Sequence, residues 1–265
     1  MRPVSAQLEG EWPYVRENPD CVVLGVRPGV TPSGKPPVRI FLGTEEGQYR
    51  AERVFVFSVE KHRDPARVYE IHLMKNVTGF DRRGWRTGFT CYRFAIPDFA
   101  GRQGKAIYND VDQIYLADPA LLFDLDLGGH GYLAIDARDT SVMLIDCQRM
   151  LPWWNRERAS KRGAKGPLTA EPAKVPGLWG RLDPHWNARD QEYVEGRTKC
   201  LHYTLLHQQP WHPFPETYSY HENPLAHLWY ALEREADAAG FEVFTRERPS
   251  PGFLALLGSN RPQPP

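Results

Sequence analysis

The chain has 265 residues, 41% of them apolar and 25% charged, which suits one large soluble globular domain or one domain with a small appendage. Its 33 basic and 33 acidic residues cancel, so charge gives no reason to expect a nucleic-acid or anionic-membrane partner. No apolar stretch approaches the roughly 20 residues of a membrane span, MRPVSAQLEGEWPY lacks a signal-peptide core, and four scattered cysteines (Cys21, Cys91, Cys147, Cys200) without CxxC spacing suit a reducing cytoplasm.

Along the chain, PDCVVLGVRPG reads as an extra strand that pairs at a sheet edge. PGVTPSGKPP (28–37) reads as a loop, and VRIFLGT (38–44) as a buried strand. In EEGQYRAERVFVFSVEKH the VFVFSV core has strand propensity, but its length and charged flanks favour a helix packed on a sheet. VYEIHLM (68–74) and KAIYND (105–110) are the next strands. DPALLFDL reads as a short helix, with Asp118 as N-cap and Pro119 in the first position. GGHG (128–131) is a turn, and GYLAID (131–136), SVMLIDC (141–147) and KCLHYT (199–204) are short strands.

KRGAKGPLTAEPAKVPG (161–177) reads as a loop: a disordered surface segment, or a basic lid over phosphates. NPLAHLWYALEREADAAG reads as an amphipathic helix with Asn223 as N-cap, Gly240 past its end, and Leu225, Leu228, Trp229, Leu232 and Ala236 on one face. FEVF (241–244) reads as a strand, RPSPG (248–252) as a loop and NRPQPP as a frayed tail. This order predicts an N-terminal extension (1–36), a main domain (37–248) and a Pro-rich tail (249–265). Strands alternate with helices, which predicts an α/β fold with an open, mostly parallel twisted sheet. Ligands of such sheets bind at the carboxyl ends of the strands, here where VRIFLGT and KAIYND stop.

Asp110 and Asp112 flank one valine at the end of KAIYND. Two carboxylates at i and i+2 can converge on one hard cation, magnesium or manganese, and such ions bridge protein carboxylates to substrate phosphates. A surface turn accounts for the same triplet. No G-x-S-x-G supports serine hydrolysis, and GTEEGQ lacks the ending of a phosphate-binding Walker loop.

Five blocks resemble, in order, the sequence pattern of family 8 glycosyltransferases, the group that includes glycogenin and bacterial galactosyltransferases. They are RIFLGTEEGQY, YRFAIPD (92–98), AIYNDVDQIYLADPALLFDLDL with its D-x-D, LDPHWN (182–187), and LHYTLLHQQPW (201–211), which is similar to the family's H-x-x-G-x-x-K-P-W signature. The resemblance covers about residues 38–211. It implies a glycosyltransferase-A fold with a Rossmann-like nucleotide-binding half, and a hexosyl transfer from a nucleotide sugar, a UDP-sugar, to an unidentified acceptor with retention of configuration. It implies manganese or magnesium held by Asp110, Asp112 and His202, with His207 as the competing ligand. It places Thr44, Glu45, Tyr49, Arg93, Asp110, Val111 and Gln209 at the nucleotide and diphosphate, and Asp136 and Asp139 on the donor-sugar side.

The chain departs from that family in three places. Gln209 stands where a phosphate-binding lysine is expected, so another cation is needed, and Lys199 is the nearest candidate. Asp139-Thr140-Ser141-Val142 replaces an N-A-G-V segment. The D-Q-D block that reaches the transferred sugar is missing; Asp190-Gln191 comes after the W-N element and reads as a solvent-exposed pair. Trp153, Trp154 and Trp211 read as packing residues, and His212 and His221 as loop or surface residues. Two rival functions follow: a nucleotide-sugar binder that has lost transfer, and a metal-dependent nucleotidyltransferase.

Overall fold

The computed structural model describes residues 18–243, apart from positions 84, 86 and 162–164. The predicted RPSPG loop, the NRPQPP tail and the opening segment lie outside the described residues. The strands are β1 (Asp20–Leu24), β2 (Val38–Gly43), β3 (Tyr69–Met74), β4 (Lys105–Asp110), β5 (Gln113–Tyr115), β6 (Tyr132–Ala134), β7 (Val142–Asp146), β8 (Trp179–Arg181), β9 (Ala188–Arg189) and β10 (Cys200–His202). The longer helices are α1 (Tyr49–His62), α2 (Lys165–Ala173) and α3 (Ala226–Ala238).

Seven strands form one sheet in the order β1-β3-β2-β4-β7-β6-β8. β2, β3, β4, β6 and β8 run in one direction; β1 and β7 run against them. The sheet is therefore mostly parallel, as expected, and both faces are covered. Alternating side chains divide between the faces: Ile40, Leu42 and Ile107 enter the core beneath α1 and α3, while Phe41, Ala106 and Tyr108 enter a second core with Phe94, Tyr132 and Trp154. β1 pairs antiparallel with β3 at the sheet edge, as PDCVVLGVRPG predicts.

The VFVFSV segment is helical. Val54, Phe55, Val56, Phe57 and Val59 are all buried, because α1 is covered by the sheet on one side and by α3 on another. Its charged flanks pair with α3, through Arg50 to Glu233 (2.9 Å), Arg53 to Asp237 (2.7 Å) and Lys61 to Glu235 (2.7 Å). Tertiary cover decides here against β propensity.

Several boundaries differ from expectation. The helix after Asp118 spans Ala120–Phe123; Asp118 still caps the turn by accepting from Ala120 N at 2.8 Å. α3 begins at Ala226, and Asn223 Oδ1 caps the preceding turn by accepting from Leu225 N at 2.8 Å. Segment 161–177 is not a loop throughout, since residues 165–173 form α2 with Pro172 near its end. Leu168 is buried there, and Trp154 Nε1 donates to its carbonyl at 2.8 Å. Residues 241–243 are not a strand; Val243 is buried and Phe241 packs against the α1 core.

The site depends on a hand-off between two sheets. β4 ends at Asp110, in register with Gly43 of β2, and Val111 N donates to Gly43 O at 3.0 Å. Two residues later the chain joins a three-stranded sheet, β5-β10-β9, where Gln113 pairs with His202. Asp112 O accepts from Tyr203 N at 2.8 Å and closes the junction.

Gly43 is fixed by this geometry. An added Cβ would overlap the Tyr108 hydroxyl and meet Phe89 Cδ2 at 2.7 Å. Gly43→Ala is expected to lower stability by about 1 to 3 kcal/mol through overpacking, read as a drop in the urea midpoint at unchanged slope. A midpoint equal to wild type would show that Tyr108 can move freely.

Candidate metal centre

Asp110, Asp112 and His202 present ligand atoms that all lie within 4.8 Å of one another. Asp112 Oδ1 is 3.1 Å from His202 Nε2. That buried oxygen receives no hydrogen bond of good geometry and has only this contact with His202, so a coordination position points inward between the two. Two carboxylate oxygens and one imidazole nitrogen form a donor set that suits manganese or magnesium. The residues present therefore fit a divalent ion.

Each ligand is held from behind. Asp110 Oδ1 accepts from Arg93 Nη2 at 2.7 Å and from the Tyr108 hydroxyl. Arg93 also donates to Thr140 O at 2.7 Å, and its guanidinium lies 4.4 Å from the Tyr108 ring centre. Asp112 Oδ2 accepts from Gln209 Nε2 at 3.2 Å. His202 Nδ1 lies 2.8 Å from Asn187 Oδ1 and 3.2 Å from Gln113 Nε2. The shorter contact needs a proton on Nδ1, which leaves Nε2 to face the carboxylates.

A buried amide chain supports this arrangement. The Tyr115 hydroxyl donates to Asn109 Oδ1 at 2.8 Å, and Asn109 Nδ2 donates to Gln113 Oε1 at 2.7 Å. Gln113 Nε2 also reaches Ser141 O at 3.1 Å, and Asn187 Nδ2 donates to Ser141 Oγ at 2.8 Å.

Crowded charge perturbs the titrating groups. Burial pushes the Asp110 carboxyl above its ordinary range; Arg93 opposes this, and Asp112 adds to it. Burial acts to lower the His202 imidazole, but Asp112, Asp110 and Asp139 outweigh it and the net shift is upward. An ion at Nε2 would displace that proton.

The other sequence-selected residues scatter around this centre. His207 is exposed, edge-on to Tyr218, so the structure brings His202 and not His207 to the carboxylates. Asp139 is nearby: Oδ1 accepts from Ser141 N at 2.9 Å, and Oδ2 pairs with Arg189 and lies 3.4 Å from Asn187 Nδ2. Asp136 is exposed, and its Oδ1 accepts from Arg138 N (2.8 Å) and Asp139 N (2.9 Å) in a surface turn. Thr44 is buried and donates to Glu52 Oε2 at 3.0 Å, an acid that Lys75 neutralises. Val111 turns its side chain into the core. Glu45 is half-buried at the end of β2, and burial raises its carboxyl despite Gly88 N–H and Arg82. Tyr49 is exposed at the start of α1. Gln209 is buried and ties Asp112 to Tyr203 O (3.1 Å).

Two expectations are corrected. Asp190 is not solvent-exposed; it is buried, and Oδ2 accepts from Thr204 N (3.1 Å) and the Thr204 hydroxyl. Gln191 alone is exposed. Lys199 pairs with Asp183 at 3.2 Å and lies 4.9 Å from the Trp186 ring centre, so it is engaged elsewhere. Sequence reading missed Tyr108, Gln113, Asn187 and Arg189. Gln113 follows the D-x-D directly and Asn187 ends LDPHWN, so both lay inside quoted blocks; Arg189 had no signal of its own.

No protein-family model matches the sequence, and no curated protein matches it. Solved structures do. The glycosyltransferase GlyE of Streptococcus pneumoniae TIGR4 aligns with a TM-score of 0.55 at 16% identity, over 79% of this chain and 65% of that one. The galactosyltransferase LgtC, in complex with donor and acceptor sugar analogues, aligns with a TM-score of 0.52 at 14% identity, over 75% of this chain and 96% of that one. The bifunctional glycosyltransferase WbbM aligns with a TM-score of 0.52 at 12% identity, over 77% and 53%. This chain thus spans just under two thirds of the GlyE chain. The likeness shows the fold, which is of the glycosyltransferase-A type.

Arg93 is the cation on which the buried Asp110 relies. Arg93→Met is expected to cost about 3 to 5 kcal/mol, the range for a buried ion pair broken on one side, measured by chemical denaturation without metal. A loss below about 1 kcal/mol would mean that the pair is effectively solvated.

Proposed function

We propose that the chain is a metal-dependent glycosyltransferase. It takes a hexose from a UDP-sugar and transfers it, with retention, to an acceptor hydroxyl. The observation that carries this reading is the inward-facing Asp110–Asp112–His202 cluster at the carboxyl ends of β2 and β4, in a sheet of this fold type. The known activities of similarly folded proteins support the reaction class.

Asp110, Asp112 and His202 would hold manganese or magnesium, which would neutralise charge on the departing diphosphate. Arg93 and Tyr108 fix Asp110, so the carboxylate does not have to reorganise when the ligand arrives. Asn187 fixes the His202 ring by accepting from its Nδ1–H. Glu45, just past β2, and Tyr49, at the start of α1, border the nucleoside. In the transfer, the bond from the anomeric carbon to the diphosphate oxygen breaks and its electron pair leaves with the diphosphate. The acceptor oxygen bonds to that carbon and gives up its proton to the departing diphosphate.

One observation favours a second reading, a nucleotide-sugar binder without transfer. Gln209 is neutral, and its amide nitrogen is tied to Asp112 and Tyr203 O. Titration calorimetry with UDP distinguishes the cases. Manganese should tighten UDP binding at least tenfold, and Asp112→Asn should abolish that gain. Equal UDP affinity with and without manganese would refute the metal site. Manganese-dependent binding with no hydrolysis or transfer from a panel of UDP-sugars would favour the binder. Asn187→Ala should weaken manganese binding about 10- to 100-fold, the usual effect of losing a group that orients a metal ligand. Unchanged affinity would remove Asn187 from that role.

A further inference from the structure

We infer that Arg189 binds the diphosphate of the nucleotide donor, exchanging its ion pair with Asp139 for one with phosphate oxygens. The inference rests on the proposed function and names the residue that completes its charge balance.

The balance can be taken group by group. A divalent ion offsets Asp110 and Asp112. Arg93 is buried and offsets Asp139 in sign; its Nη donors already serve Asp110 and Thr140, and its Nε is buried away from solvent. The cation in surplus is Arg189. It ends β9, beside His202 in the parallel register, so it borders the ligand imidazole. Its side chain is 41% exposed while that of its partner, Asp139, is only 8% exposed, so the arginine reaches the buried carboxylate from the solvent side. Asp139 keeps Ser141 N–H, the Ser141 hydroxyl and Asn187 Nδ2 as donors if the arginine swings away. Arg189 can therefore leave without stranding a buried charge. A guanidinium fork also suits two phosphate oxygens better than an amide does.

Other cations near the site are engaged elsewhere. Lys199 pairs with Asp183, Lys75 with Glu52, and Arg50 with Glu233. Arg82 lies beside Glu45 and is a competitor by position among the described residues.

Binding of UDP, uridine and manganese to Arg189→Gln, Arg189→Lys and Arg82→Gln tests the assignment, with folding checked by thermal melts. Arg189→Gln should weaken UDP about tenfold in manganese, leave uridine within twofold, and leave manganese alone within twofold. Arg189→Lys should recover part of the loss. The double variant Asp139→Asn/Arg189→Gln, which removes the ion pair as a unit, should bind UDP as weakly as Arg189→Gln. If Arg189→Gln unfolds, the double variant decides alone. Equal losses for UDP and uridine would make Arg189 merely structural and overturn the inference, as would a tenfold UDP loss in Arg82→Gln but not in Arg189→Gln. Wild-type protein that does not bind UDP in manganese would sink the proposed function along with it.

Discussion

The two residues between Asp110 and Gln113 are the constraint on which the site depends. Asp110 is the last residue of a central parallel strand, and Gln113 is the first of a strand in another sheet. Between them the chain must leave one ladder and enter the next. Its backbone groups are met from both sides, by Gly43 O and Tyr203 N. This turn forces two carboxylates into a largely water-free junction, and β10 brings an imidazole against them. A carboxylate in such a place is costly unless a cation or several donors meet it. Arg93, Tyr108 and Gln209 supply what the chain can, and one oxygen of Asp112 is left without a donor.

The surroundings keep that junction rigid. Trp211 lies between Tyr203 and Trp229, with its Nε1 donating to Gln48 Oε1 at 2.6 Å. Trp154 seals the other face against Phe94 and Tyr132. The amide chain from Tyr115 to Asn187 is likewise closed. A fully satisfied buried polar network of this kind fixes one geometry, so the cluster is preorganised before any ligand arrives, which is what electrostatic stabilisation of a leaving group requires.

Much of this was legible because its signals are local. Six-residue segments with apolar centres, ending at Gly43 and Asp110, mark strands covered on both faces. The Leu225–Ala236 stripe marks a helix, and the D-x-D triplet marks a possible ion site in nine letters of context. Asp190, Lys199 and α2 were misread for non-local reasons. Asp190 is buried because Thr204, fourteen positions on, folds over it. Lys199 finds Asp183 across a loop. Helix α2 is held by Trp154 through the carbonyl of Leu168, which no periodicity within a Pro- and Gly-rich segment announces.

By itself, the sequence determined the order of β1 to β4, β6, β7 and β10 with α1 and α3, the buried central strands, and the two aspartates at a strand end, since each follows from the side-chain period and from residues within a few positions. Only the tertiary structure decided which histidine meets those aspartates, that Asn187 orients it, and that Arg189 and not Lys199 borders it. Those outcomes depend on β10 pairing with β5 across 87 residues and on the register of β9 beside it. A one-residue shift in either pairing would turn His202 to the opposite face of its strand.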